Sequence, residues 1–206
     1  MADVLTPPDP DGPALSRPGA IILARHGEPA LSRKVRLSAQ QYRDFWARYE
    51  VLGILPGQTP PPALMQIVEK AGTLVSSTRL RSIESAGALA AGRRVVQHAE
   101  LVEAPLPPPA LPGWIRMSPK IWGFLARFWW WFFNHHEGHE TRGGAEARAD
   151  QAADLLIGYA TCGEDVVVLA HGFFNYMIGR SLRRRGWKLT ASQGYKYWST
   201  RRFERL

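Results

Sequence analysis

The stretch Ile21-Ile22-Leu23-Ala24-Arg25-His26-Gly27-Glu28 decides the fold, because a short apolar run leads directly into an Arg-His pair and a glycine turn. Four apolar residues, mostly of strand-forming types, predict a buried strand. In an open α/β sheet the functional side chains lie beyond the carboxyl ends of the strands. Arg25 and His26 therefore stand where such a sheet carries its site.

A second stretch of the same kind lies far downstream, where Val166-Val167-Val168-Leu169-Ala170 leads into His171-Gly172. Either His-Gly pair alone is about as readily explained as an incidental histidine at a strand end. Together, with an arginine cluster between them in the sequence, they predict two imidazoles at one edge of one sheet.

Strand and helix patterns alternate along the rest of the chain, which indicates an α/β protein with a layered sheet. Helices are predicted after the N-cap residue Ser38, over 63–71, from about 78 to 91, over 145–159 and over 173–185. Strands are predicted over 73–76, 95–96, 101–102 and 166–170, with a terminal strand pair over 195–203.

Composition indicates a globular chain with a preference for anionic ligands. Of 206 residues, 45% are hydrophobic and 21% charged, and the net charge is +8. That charge favours phosphate esters, nucleic acid or an anionic membrane without choosing among them. The single cysteine, Cys162, excludes an internal disulfide and predicts a reducing, cytoplasmic location. Residues 1–19, rich in Pro, Asp and Gly, predict a flexible tail rather than a signal peptide.

Between the two His-Gly stretches, the segment Ser76 to Ala86 follows a predicted strand and enters a helix. A helix N-terminus carries free N–H groups and a positive dipole end, so an arginine there suits a phosphate group. A single arginine at such a position is more commonly just solvated. The two His-Gly strand ends in the same chain favour the phosphate interpretation here.

These motifs together resemble the histidine phosphatase superfamily, the phosphoglycerate mutase-like proteins. The family's strand into Arg-His-Gly is matched by Arg25-His26-Gly27, and its strand into His-Gly by Ala170-His171-Gly172. Its Ser-Ser-x-x-x-Arg-Ala-x-x-Thr-Ala element is matched by Ser76-Ser77, Arg81 and Ser85-Ala86. The resemblance implies one domain over 20–206, a three-layer sandwich whose mainly parallel central sheet is flanked by helices.

The resemblance also implies an activity, that of a histidine acid phosphatase-type phosphoric monoester hydrolase without metal or cofactor. His26 would be the nucleophile that forms a phosphohistidine, and the phosphate ligands would be Arg25, Arg81 and His171. Glu103 sits where the family's proton donor is expected, and Glu100 is its nearest competitor. The substrate would be a small phosphorylated metabolite, and no nucleic acid partner is expected.

Departures from the family pattern leave the substrate open. Pro29 and a basic loop replace the usual Thr and Asn, Ser82 replaces an Ala, and prolines follow Glu103. Gly144-Ala145-Glu146 matches the family's Gly-Glu-Ser helix start only loosely. Candidate substrate-binding residues around the basic loop are Glu28, Arg33 and Lys34.

A Trp-rich insertion around 114–140 has no general counterpart in the family. Its core, Phe124–Phe133, is too short and too interrupted by cations to span a membrane. A helix packed over the sheet is the favoured interpretation, and a lid, a dimer face or a peripheral membrane contact is the alternative.

Two other functions stay open for the chain as a whole. One is a phosphomutase of the same fold, and the other is a non-catalytic module that binds membranes or partners through the basic and Trp-rich surfaces.

Two further charged clusters are interpreted as ordinary surface. Residues 135–140, His-His-Glu-Gly-His-Glu, do not fit the His-Glu-x-x-His metal pattern and predict a polar loop without metal. Arg183-Arg184-Arg185 predicts a solvated helix end, where cations complement the helix dipole.

Overall fold

The structure, a computed structural model, describes residues 17–206. Of the predicted tail over 1–19, only the last three residues fall in this range. The strands are β1 Ile21–Arg25, β2 Thr73–Ser77, β3 Val95–His98, β4 Val166–Ala170, β5 Lys188–Ser192 and β6 Thr200–Glu204. The helices are α1 Ala39–Val51, α2 Pro62–Lys70, α3 Leu80–Ala90, α4 Pro119–Phe133, α5 Arg142–Ala160 and α6 Gly172–Arg184.

The strands form one sheet in the order β3-β2-β4-β1-β6-β5. The first four strands in this order run parallel to one another. Strand β6 pairs antiparallel with β1, and β5 pairs antiparallel with β6, so β5 again runs in the direction of β1. Strands β1 and β4 are direct neighbours, with Arg25 opposite Ala170. The two predicted strand ends therefore lie side by side, and the residues that follow them, His26 and His171, emerge at the same edge.

Helices cover both faces of the sheet, which explains why its central strands are continuously apolar. Ile21 and Leu23 of β1 pack in a core with α5 and α6, whereas Ile22 packs on the other face with α2 and α3. The small residues Ala149 and Ala152 let α5 lie close to the sheet. This three-layer arrangement confirms the fold class predicted from the sequence.

A smaller core joins α1 to the Trp-rich helix α4. Ser38 caps α1 through a capping box, as predicted, and Tyr42 of α1 stacks on Trp122 of α4 at 5.8 Å between ring centroids. The Trp122 indole also donates to the Leu37 carbonyl at 2.7 Å. The Trp-rich segment is thus a helix, as predicted, and one of its faces docks on α1. Over residues 17–206, no helix is both long and apolar enough to cross a membrane.

Two predicted strands are wrong. Residues 99–101 form a short 3-10 helix followed by loop, because Leu101 is buried beneath α5 rather than paired in the sheet. The terminal strand pair runs over 188–192 and 200–204 instead of 195–203. Tyr195 and Tyr197 suggested a strand, but they lie in the connection between β5 and β6, beside Arg25.

Candidate active site

The loop after β1 is held in place by its two neighbouring strands. The His26 N–H donates to the Ala170 carbonyl at 3.0 Å, and the Trp198 N–H donates to the Arg25 carbonyl at 3.1 Å. Gly27 must be a glycine, because a Cβ there would lie 2.5 Å from the Trp198 ring. The Gly27 N–H donates to the Ser85 hydroxyl at 2.8 Å, which ties the loop to α3. These contacts give the His26 ring a defined position.

The hydrogen bond of the His26 ring sets its tautomer. Its Nδ1 lies 2.7 Å from the Gly27 carbonyl oxygen, which can only accept, so Nδ1 carries the proton and Nε2 keeps a free lone pair. Burial, together with the nearby Arg81 and Arg25 guanidinium groups, holds the pKa of His26 well below its ordinary value of 6.5. The imidazole is therefore neutral at pH 7 and is chemically suited to be a nucleophile.

His171 faces His26 across the edge of the sheet. The two ring centroids lie 5.2 Å apart, in an edge-on arrangement, and both side chains are buried. Nε2 of His171 contacts the Ser77 hydroxyl at 3.0 Å. Burial, followed by the charge of Arg81, lowers the pKa of His171 well below 6.5. The two imidazoles are brought together as the strand ends predicted.

Arg81 is fully buried and held by α1. Its Nη2 donates to the Glu50 carboxylate at 2.9 Å and its Nη1 to the Tyr49 carbonyl at 2.9 Å. Arg79 binds the other oxygen of Glu50, also at 2.9 Å. One carboxylate therefore fixes both guanidinium groups at the start of α3, and together the three groups remain net positive.

Arg25 reaches the same site from the end of β1. Its Nη1 donates to the Tyr195 carbonyl at 2.7 Å, and its guanidinium carbon lies 4.3 Å from the Tyr197 ring centroid. The Tyr197 ring in turn lies 5.9 Å from the His26 ring. The aromatic ring thus positions the cation beside the proposed nucleophile.

Several buried nitrogens of the predicted site residues and of Arg79 have no hydrogen-bond partner among the described residues. They are the Nε atoms of Arg25, Arg79 and Arg81 and Nδ1 of His171. Buried polar groups are normally satisfied, and most unsatisfied ones in native proteins have a specific reason. A phosphate group accepts hydrogen bonds from several donors at once, so an oxyanion at this edge fits the donor set.

The side chain of Glu103 lies at the N-terminus of α6, the helix that begins directly after His171. Its Oε1 accepts from the Phe174 N–H at 2.9 Å, and the residue is almost fully buried. The carboxylate lines two cavities of about 560 and 480 Å³, the second of which also contains Arg25. Its competitor Glu100 is turned outward, toward His98 at 3.7 Å. The geometry therefore favours Glu103 over Glu100 as a group near the site.

The three candidate substrate-binding residues line a third cavity of about 890 Å³ that also contains Arg25. These residues are Glu28, Arg33 and Lys34. The Arg33 Nη2 donates to the Tyr49 hydroxyl at 3.2 Å. Lys120 of α4 lines the same cavity, so the wall beside Arg25 is mainly cationic.

The charged clusters outside this edge are engaged in ion pairs. Glu137 pairs with Arg43 at 2.6 Å, Glu140 pairs with Arg148 at 2.7 Å, and no metal-binding group is formed over residues 17–206. The helix end at Arg183-Arg184-Arg185 is solvated, as predicted, because Arg183 and Arg184 are exposed. Arg184 and Arg185 also pair with acidic residues of α5.

Sequence reasoning missed Glu50, Tyr49 and Tyr197. Glu50 and Tyr49 lie within the helix pattern of α1, and nothing in that pattern marks them as partners of Arg81. Tyr197 stood in a predicted strand, so its place beside Arg25 and His26 was not foreseen. Each of the three reaches the site only through contacts between distant segments.

Comparison with known proteins identifies the fold. The sequence matches no protein-family model and no curated protein sequence. Its structure is similar to phosphoglycerate mutase from Bacillus anthracis str. Sterne, with 15% identity, a TM-score of 0.56 and coverage of 91% of this chain and 88% of that one. Mycobacterial hydrolase 2 gives 20% identity, a TM-score of 0.55 and coverage of 82% and 73%. For mycobacterial glucosyl-3-phosphoglycerate phosphatase the identity is 21% and the TM-score 0.53, with coverage of 82% of this chain and 81% of that one.

These likenesses confirm the resemblance at the level of the fold. The chain has the phosphoglycerate mutase-like architecture. The phosphatase and the mutase that share this fold have only 21% and 15% sequence identity to it.

Proposed function

We propose that this chain, a protein of the phosphoglycerate mutase-like fold, hydrolyses a small phosphate monoester through a phosphohistidine intermediate. The observation that carries the proposal is the state of His26: it is neutral, its Nδ1 is bonded to the Gly27 carbonyl, and its Nε2 is free. Its ring centroid also lies 5.2 Å from that of His171, and the Arg81 and Arg25 guanidinium groups are near enough to lower its pKa. A free imidazole nitrogen surrounded by cations is what in-line attack on an anionic phosphorus requires.

In the first step Nε2 of His26 attacks phosphorus, an N–P bond forms, and the bond from phosphorus to the ester oxygen breaks. Arg25, Arg81 and His171 bind the non-bridging oxygens, whose charge must be held in the transition state. Glu103 gives its proton to the departing oxygen, so the leaving group departs as an alcohol. One difficult displacement is thereby divided into two easier ones.

In the second step water attacks the phosphohistidine. The Glu103 carboxylate takes a proton from that water, the N–P bond breaks, and inorganic phosphate leaves with His26 neutral again. Because one Glu103 oxygen is fixed by the Phe174 N–H, the other is available for both proton transfers. The cationic side chains hold the phosphate charge, so the proposed steps need no metal.

The cavity wall supplied by Arg33 and Lys34 suggests the character of the leaving group. Both residues line the cavity that opens beside Arg25. We infer that they contact an anionic portion of a small phosphorylated metabolite, away from the reacting phosphate. Glu28 on the same wall would favour substrates that carry hydroxyl groups, because its carboxylate can accept hydrogen bonds from them.

The test is phosphate release from p-nitrophenyl phosphate and from a panel of phosphorylated metabolites. His26→Ala should abolish release, whereas His136→Ala, which removes a histidine far along the chain from this edge, should leave it unchanged. Activity of His26→Ala at the wild-type rate would refute the assignment. Transfer of phosphate to an isomeric product without net release would instead identify the phosphomutase alternative.

The proton donor is tested with an ester whose alcohol is a poor leaving group. Glu103→Gln should lower kcat on that ester by about 100-fold or more, in the usual range for loss of a general acid, with a smaller effect on p-nitrophenyl phosphate. Glu100→Gln is the matched control. A larger loss in Glu100→Gln than in Glu103→Gln would move the role to Glu100.

A further inference from the structure

Helix α4 presents a row of large apolar side chains to solvent, here named the aromatic face. Phe124, Phe132 and Phe133 are each about two-thirds exposed. Its members are Ile121, Phe124, Phe128, Phe132 and Phe133. Their spacing of three and four residues places most of them on one side of the helix.

The opposite side of α4 is already buried in this chain. Trp122, Ala126 and Trp130 have no exposed surface. The helix is thus anchored through one side, and the aromatic face is not part of the core of residues 17–206. Soluble proteins commonly expose single apolar residues, but a contiguous aromatic patch of this size marks an interaction surface.

The two chain segments that carry and adjoin the aromatic face contain cations but no anions. Residues 29–43 and 104–136 contain no Asp or Glu. The two segments meet where Leu37 and Met117 exchange backbone hydrogen bonds of 2.9 and 3.0 Å. Arg36 donates to the Arg116 carbonyl at 3.3 Å, which places both residues next to each other just before α4.

Lys120 lies one helical turn before Phe124, on the same side of α4. Lys120 also lines the cavity beside Arg25, so we name only Arg36 and Arg116 the basic rim. The indole of Trp114 is 81% exposed just before this helix, and indoles favour the boundary between headgroups and acyl chains.

We propose that the aromatic face and the basic rim bind the surface of an anionic membrane, with α4 lying in the plane of the interface. The phenylalanine rings would enter the boundary between headgroups and acyl chains. The rim cations would contact the lipid phosphates and carboxylates. Apolar burial would account for the exposed phenylalanine rings, and electrostatic attraction would account for the cations beside them.

A second copy of the chain fits this patch less well. A twofold dimer brings the same surface of each subunit together, so it would place basic rim against basic rim. Since neither contributing segment contains an acidic residue, the charges would be left without partners. An anionic lipid surface supplies those partners.

The test is flotation of the full chain with vesicles of phosphatidylcholine alone or mixed with phosphatidylserine. The chain should float with the mixed vesicles, and added salt should release it, because salt screens the charges of the rim. Phe124→Ser combined with Phe132→Ser should reduce partitioning at least tenfold, given the transfer energy of two phenyl rings. The matched control, Val51→Ser with Met65→Ser, removes exposed apolar side chains elsewhere and should partition like the unaltered chain.

Charge reversal provides a second variant that leaves the apolar surface intact. Arg36→Glu with Arg116→Glu should abolish the preference for phosphatidylserine. Circular dichroism spectra equal to wild type would show that each variant is folded. No flotation of the unaltered chain would overturn the proposal, as would equal flotation of the Phe124→Ser/Phe132→Ser variant. So would a dimer that this double variant dissociates, without flotation, because the occupant would then be a second copy.

Discussion

The two buried imidazoles at the site should make the stability of the protein fall as the pH drops below about 6.5. His26 and His171 are both almost inaccessible to solvent, and burial and the arginines hold the pKa of each well below 6.5. In the unfolded chain both rings take up protons near pH 6.5, whereas in the folded chain they do not. Acid therefore favours the unfolded state over the window from about 6.5 down to the folded pKa values.

The size of the effect follows from linkage. One unit below its unfolded pKa, a histidine that stays neutral in the folded state costs about 1.4 kcal/mol of stability. Two such histidines cost about 3 kcal/mol, a large part of the free energy of unfolding of an ordinary domain. Above about pH 6.5 the two histidines leave the free energy of unfolding at its full value, and they lower it as the pH falls below that.

The assay is urea denaturation at about pH 7.5 and about pH 5.5, for wild type and for His26→Gln combined with His171→Gln. The double variant should lose about 3 kcal/mol less between the two pH values than wild type does. Leu89→Ala, a core truncation without a titratable group, is the control and should lower stability equally at both. Identical pH dependence in wild type and the histidine variant would refute the claim that both rings stay neutral in the folded protein.

Three further substitutions test contacts of the site and of α4. Glu50→Ala should lower the free energy of unfolding by about 3 kcal/mol, because it leaves the Arg81 guanidinium buried without its carboxylate. Inorganic phosphate should restore part of that loss in urea denaturation, and no restoration would argue against an anion at Arg81. Ser85→Ala should cost about 1–2 kcal/mol through the lost Gly27 hydrogen bond and should lower kcat, with Ser85→Thr restoring both. Trp122→Ala should cost about 3–5 kcal/mol in calorimetry, and a loss below about 1 kcal/mol would contradict the anchoring of α4 by this residue.

The parts of the site that could be predicted from the sequence are those marked by short, local sequence patterns. Apolar runs that end in His26 and His171 specify two strands and their carboxyl ends, and parallel neighbours share an edge. Arg81 could be placed because a strand, a serine pair and a helix start lie within a few residues of it. These signals are local, and the topology only had to bring them together.

The parts that could not be predicted depend on how α1 and the last loop pack. Glu50 is one acidic residue among the polar positions of an amphipathic helix, and only the docking of α1 beside α3 makes it the partner of Arg81. Tyr197 has a strand-forming side chain, but its ring is used beside Arg25 in a loop. The apolar pair Leu101-Val102 predicts a strand, but apolar residues fit a buried 3-10 turn equally well, and Leu101 lies in such a turn.

The position of β6 has a consequence for when the site can form during synthesis. This last strand pairs with β1, and both backbone groups of Arg25 are bonded to residues just before it, Trp198 and Ser199. The loop that carries His26 therefore lacks half of its backbone support until residues 198–204 have left the ribosome. Pairing between such distant segments is slow compared with local structure. A nascent chain that ends before Trp198 should thus leave the His26 loop without its contacts on the β6 side.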